Sequence, residues 1–132
     1  MIHFDKPYCQ THFNPVLRCA VHRWKSFCYS YEYRQALNDC LELVSQTAAI
    51  SLIIDARSET SFEESWHDDW VRSEWLPRVL QTNLRKMAVI VSKEYLAALP
   101  QPTIQLTVAD QWITGRFFDN PDEASQWIRY YF

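Results

Sequence analysis

The chain has 132 residues, with 13 Lys plus Arg against 16 Asp plus Glu and a formal net charge of −3. It lacks the summed positive field that phosphate backbones attract, and no run of basic residues is longer than two, which argues against nucleic acid as a partner. At 48% hydrophobic and 22% charged it has the composition of one globular domain spanning residues 1–132, with enough apolar surface for a substantial core.

Other function classes fall away on similar grounds. No apolar run approaches the roughly 20 residues that span a bilayer, so membrane insertion is not expected. The start, "MIHFDKPYCQTHFNPV", has no basic region followed by an apolar stretch, so it does not read as a secretory leader. Gly115 is the single glycine, which excludes phosphate loops whose backbone must approach an anion closely. Cysteines at 9, 19, 28 and 40 match neither a CxxC motif nor a short-spaced disulfide framework; they read as reduced thiols in a cytoplasmic protein.

In chain order, "IHFDKPYCQTHF" reads as a short strand broken by Pro7 at a sheet edge. "VLRCAVHRW" (16–24) alternates, with Leu17, Cys19 and Val21 on an apolar face and Arg18, His22 and Trp24 on the other. In "SYEYRQALNDCLELVSQ" the period changes: Tyr33, Leu37, Cys40, Leu41 and Val44 form the stripe of an amphipathic helix capped near Ser30. "AAISLIID" is a continuous apolar run closed by Asp55, as expected of a central strand covered on both faces. Ser61-x-x-Glu64 is a capping-box pattern opening the next helix.

That helix, "ESWHDDWVRSEWLPRVL" and beyond, carries two stripes at 100° per residue. Trp66, Trp70, Leu76, Leu80 and Leu84 are expected to face the sheet, and Val71, Trp75 and Val79 form a second stripe roughly opposite. Either neighbouring elements cover the second stripe, or it is a contact surface for another chain, most simply a two-fold homodimer. Pro77 should kink or restart the helix. "KMAVIVS" is another buried strand, and "KEYLAALPQP" a short helix stopped by Pro100. "TIQLTVADQWI" fits a strand or a helix; "GRFFD" reads as a last strand. "NPDEASQWIRYYF" has Asn120 as N-cap, Pro121 at the first helical position, and Ala124, Trp127 and Ile128 inward. The order predicts an α/β fold with a mixed, mostly parallel sheet and packed helices.

Three stretches in this order resemble the SpoIIAA-like superfamily of STAS and SEC14-type domains: "VHRWKSFCYSYEYRQALNDCLEL", "SLIIDARS", and "WVRSEWLPRVLQTNLRKMAVIVS" with "GRFFDNPDEASQWI". The chain is similar to small bacterial STAS-like proteins over roughly residues 16–132. The resemblance implies a signalling module that works by protein binding. In anti-sigma factor antagonists the segment after the central strand presents a phosphorylated serine within Asp-Ser-Ser-Gly. Here that segment is "DARSETSF", with Ser58 and Ser61 but no such motif.

The candidate sites are few. Asp55, Arg57, Ser58 and Ser61 lie at the carboxyl end of the central strand, where ligands of open α/β sheets tend to bind, and are read as a ligand or regulatory site. Val71, Trp75 and Val79 are read as partner-binding. His67, Asp68 and Asp69 diverge around a helix and the four histidines follow no metal-binding spacing, so neither metal nor cofactor is expected. No set combines nucleophile, base and oxyanion donor. The expectation is a non-catalytic interaction or signalling module, possibly a homodimer; the alternative is a small-ligand or lipid-binding domain with an aromatic-lined cleft between helices and sheet.

Overall fold

A computed structural model describes residues 3–57, 69–108 and 111–130, without the side chains of His3, Ile104 and Val108. Pro7 and Tyr8 turn the chain between β1 (His3–Lys6) and β2 (Cys9–Asn14), so the proline separates two paired strands. β2 pairs antiparallel with β3 (Cys19–Trp24). Helix α1 (Ser30–Thr47) follows, opened by Tyr29, whose N–H donates to the Glu32 carboxylate at 3.0 Å. The predicted stripe Tyr33, Leu37, Cys40, Leu41 and Val44 is buried throughout. With no glycine at its C-cap, α1 ends on Ala48 in the left-handed region (φ 52°), where a Cβ is tolerated at some cost.

β4 (Ser51–Asp55) is buried at every position. A π-helical turn, Val71–Trp75, runs directly into the helical turn Leu76–Val79; together they form α2. β5 (Lys86–Ile90) is again wholly buried. The Ser92 side chain accepts from the Tyr95 N–H to cap α3 (Lys93–Ala98). The ambiguous "TIQLTVADQWI" contains β6 (Thr103–Val108) and the start of β7 (Gln111–Phe118), which pair antiparallel. The Asn120 carboxamide accepts from the N–H groups of Asp122 and Glu123 at 2.8 and 3.2 Å, capping α4 (Pro121–Tyr130).

The sheet order is β1-β2-β3-β4-β5-β7-β6. Three neighbouring pairs are parallel (β3·β4, β4·β5, β5·β7) and three antiparallel, so the sheet is mixed and the expectation of a mostly parallel one is corrected. The reason lies at the two ends. The strand broken by Pro7 is a hairpin arm pair, and a second hairpin hides in the 103–118 stretch.

The parallel strands advance steadily in one direction. Crossovers of one hand then leave their helices on one face, and α1, α2 and α3 all pack there, over Leu52, Ile54, Met87, Val89, Ile113 and Phe117. The other face is covered by α4, whose Ala124 and Ile128 meet Cys19, Ile53, Ala88, Ile90 and Phe118. β4 is thus covered on both faces, as its apolar run predicts.

The two-stripe helix has a structural answer. The Leu76 N–H donates to the Val71 carbonyl, five residues back. At α spacing these positions would be separated by roughly 140°; the wide turn closes much of that gap, so the stripes 71/75/79 and 76/80/84 join one buried surface. The wide turn also stands just before Pro77, which lacks the N–H that α geometry would need. α1 covers what the sheet does not: the Trp75 indole N–H donates to the Leu37 carbonyl at 2.9 Å, Arg78 donates to the Asn38 carboxamide, and the Arg34 guanidinium lies over the Trp70 ring.

Candidate functional site

The partner-binding expectation for Val71, Trp75 and Val79 is corrected by this packing. Each is 1% exposed within the chain's own core, and none can meet another chain. Their second apolar stripe reflects two neighbours, sheet and α1.

The carboxyl end of β4 holds an ion pair. Asp55 accepts from the Arg57 backbone N–H and, through both carboxylate oxygens, from its guanidinium at 3.0 and 2.7 Å. This raises the Arg57 pKa further, chiefly through that hydrogen bond. With the guanidinium largely in water, the pair contributes little, about 0.5 kcal/mol. A ligand crevice at strand ends also needs the strand order to reverse. Here β3-β4-β5-β7 does not reverse, so among the described residues the strand order provides no such crevice beside Asp55. Ser58 and Ser61, with Trp66, His67, Asp68 and the capping box, lie outside the described residues.

His22, which the alternation of its strand sets opposite the apolar face, is wholly buried. It faces α1 because Ala20, His22 and Trp24 point into the larger core, while Cys19 and Val21 point toward α4. Its Nδ1 lies 2.7 Å from the Thr11 hydroxyl on the paired strand, and its ring meets Trp24 edge-on at 4.4 Å. Burial lowers its pKa to about 4, so it is neutral at pH 7 and packs as an uncharged ring. Cys9, Cys19 and Cys40 are buried and unpaired, and burial pushes their thiols up to about 11, 12 and 12.

A concave site lies at the opposite end of the sheet from Asp55. The loop after α2 (Leu80, Gln81, Thr82, Asn83), the starts of β5 (Arg85, Lys86) and β7 (Gln111, Trp112, Thr114), and Trp127 of α4 enclose an open cleft of about 780 Å³. The alternation of β7 sends Trp112 and Thr114 to the α4 side, where Thr114 is paired with Lys86. Lys86 is 5% exposed; its ammonium donates to the Trp127 carbonyl at 2.8 Å and stands 4.5 Å over the Trp127 ring. Desolvation lowers its pKa. Phe118 packs against the same indole at 5.7 Å and fixes its plane. Trp112 is 57% exposed at the mouth. A second cleft of about 460 Å³ lies on the other side of Gln81–Asn83, bounded by α1 and Arg78.

The lining chemistry is one-sided. Two indoles, two cations, amides and hydroxyls face the cleft, and no carboxylate, histidine or cysteine is among its described lining residues. The described lining carries a formal charge of +2 in a chain of −3. Sequence reasoning passed over these residues because they come from three separate stretches, 80–86, 111–114 and 127. The one available signal was Lys86 opening an otherwise apolar buried strand, "KMAVI". Among the described residues no group of three or more His, Cys, Asp or Glu side chains could hold a metal, and no helix is long and apolar enough to cross a membrane. No family model, no curated protein and no solved structure matches the chain.

Proposed function

We propose that this protein is a non-catalytic binding domain that takes a small molecule with a planar apolar body and an anionic group in the cleft between α4 and the sheet. The carrying observation is the pairing of Trp112 and Trp127 with Lys86 and Arg85 around about 780 Å³ that present no described acidic side chain. That volume lies in the range of small-ligand sites. The indoles offer flat apolar surface, and the cations meet a carboxylate, sulfonate or phosphate in a partly desolvated setting where charge pairing is strengthened. The absence of a described carboxylate, histidine or thiol in the lining supports binding over acid–base or nucleophilic chemistry. Buried thiols held protonated fit a reducing, cytoplasmic setting.

The probe 8-anilinonaphthalene-1-sulfonate combines the two required features. It is expected to bind with a blue-shifted emission, and Trp112→Ala should weaken binding about tenfold, or ~1.4 kcal/mol. Because Trp112 stands at the surface, its urea midpoint should match wild type. Lys86→Gln should weaken the sulfonate probe more than an uncharged naphthalene analogue. Equal probe binding by wild type and Trp112→Ala would remove the cleft as the site.

The interaction role implied by the STAS-like resemblance draws support from a different place. Phe27, Tyr29 and Tyr31 are exposed in the turn that carries the resemblance, with Tyr29 and Tyr31 parallel at 6.0 Å and Phe27 edge-on to Tyr29 at 5.5 Å. A Phe27→Ser/Tyr31→Ser variant should leave probe affinity unchanged, and a loss of affinity would tie the two surfaces together.

A further inference from the structure

The two edges of the sheet are finished differently. β1 carries Asp5 and Lys6, both exposed, with Asp5 held by Lys25 at 2.7 Å, and it closes on Pro7. Charge and proline are common guards of a strand edge, because they penalise the docking of another strand. β6 has neither. Its six residues, Thr-Ile-Gln-Leu-Thr-Val, include no charge and no proline, and the prolines at 100 and 102 precede it. Its inner side pairs with β7 along its whole length, from Thr103 against Arg116 to Val108 against Gln111. Among the described residues no strand pairs with its outer side.

An unguarded edge accepts a strand of some kind, and the sequence of β6 selects which. In an antiparallel pair related by a two-fold axis normal to the sheet, residues on one face meet residues on the same face, so the axis passes through a residue position. Centred on Gln105, the segment Thr-Ile-Gln-Leu-Thr has the same chemical types in both directions. Thr103 meets Thr107 of the second copy, Gln105 meets Gln105, and position 104 meets position 106. Thr103, Gln105 and Thr107 are all exposed, so these pairs form without rearranging the core. No like charges are brought together, which is the usual penalty when a strand pairs with itself.

We propose that β6 pairs with β6 of a second copy about a two-fold axis through Gln105, joining two seven-stranded sheets into one. This interface is a different surface from the ligand cleft, which it adjoins where Gln105 and Thr107 pair with Thr114 and Trp112. It involves none of Val71, Trp75 or Val79, so it is a different surface from the one the helix periodicity suggested.

Sedimentation velocity on the intact chain over a wide concentration range tests it, with far-UV circular dichroism to confirm folding. Wild type is expected to show a concentration-dependent dimer. Gln105→Lys and Gln105→Glu each place two like charges face to face at the axis and should weaken dimerisation about tenfold. Mixing the two variants in equal amounts should restore a dimer as tight as wild type, a result that a merely structural effect of either substitution would not produce. A wild-type chain that stays monomeric at every concentration overturns the proposal, as does a dimer that both charged variants leave unchanged, or a mixture no tighter than its components.

Discussion

Trp75→Ala is expected to cost about 3–5 kcal/mol of folding free energy. The indole is 1% exposed, is surrounded by the residues of α1, α2 and the sheet face beneath them, and donates its only N–H to a carbonyl 38 residues earlier in the chain. Truncation would leave a cavity at the junction of three elements and remove the hydrogen bond tying α2 to α1. Set against a total stability of about 5–15 kcal/mol for an ordinary domain, this loss should move the urea midpoint to a fraction of its wild-type value. Trp75→Phe, which keeps most of the volume and loses the donor, should fall between the two. Trp75→Glu should unfold the chain, since it places a carboxylate in a buried apolar cluster. A folded Trp75→Ala protein with an unchanged midpoint would show that the indole is not core.

Acidification is expected to act through His22. Its folded pKa, about 4, lies below the unfolded value of 6.5 because the buried ring resists charging. The unfolded chain therefore binds more protons across this interval, and stability falls as pH drops through 6.5 toward 4. Above 6.5 the ring is neutral in both states and costs nothing; below 4 it is charged in both and the slope vanishes. The full interval corresponds to about 3 kcal/mol. Urea unfolding at a series of pH values, for wild type and His22→Gln, isolates the effect from the carboxylates that titrate nearby. The difference between the two proteins should shrink by that amount as pH falls, because only wild type carries the titrating ring. Parallel curves would place the charge change elsewhere.

Elements whose residues meet one environment were legible in the sequence. The α1 stripe, the apolar runs of β4 and β5, and the Asn120-Pro121 start of α4 all depend on local pattern and appear where that pattern puts them. Elements that meet two environments were not. His22 and Trp24 look like an outward face until α1 is laid over them. Val71, Trp75 and Val79 look like a spare stripe at 100° per residue, but that angle does not hold through a turn closed by an i→i+5 bond. The β6–β7 hairpin was hidden because Ile104, Val108 and Trp112 also align at helical spacing, so one ambiguous segment stood for two strands. The cleft was the least legible feature. Lys86, Trp112 and Trp127 are brought together by the pairing of β5 with β7 and the return of α4 across them, and no spacing rule links them.

The two faces of the sheet are roofed unequally. Three helices close one; the other depends on α4, a ten-residue helix that follows the last strand. A helix of that length does not persist in water without a surface to lie on, so α4 is either docked or unwound, with little between. Unwinding it removes Trp127 and the carbonyl that holds Lys86, and it bares Ile53, Ile90 and Phe118, none of which belongs to the larger core. The wall of the cleft and the latch of the smaller core are thus the same ten residues. A molecule bound against Trp127, as proposed, would tighten the latch, and loosening the latch would erase its seat: occupancy and closure of this face would then be one equilibrium.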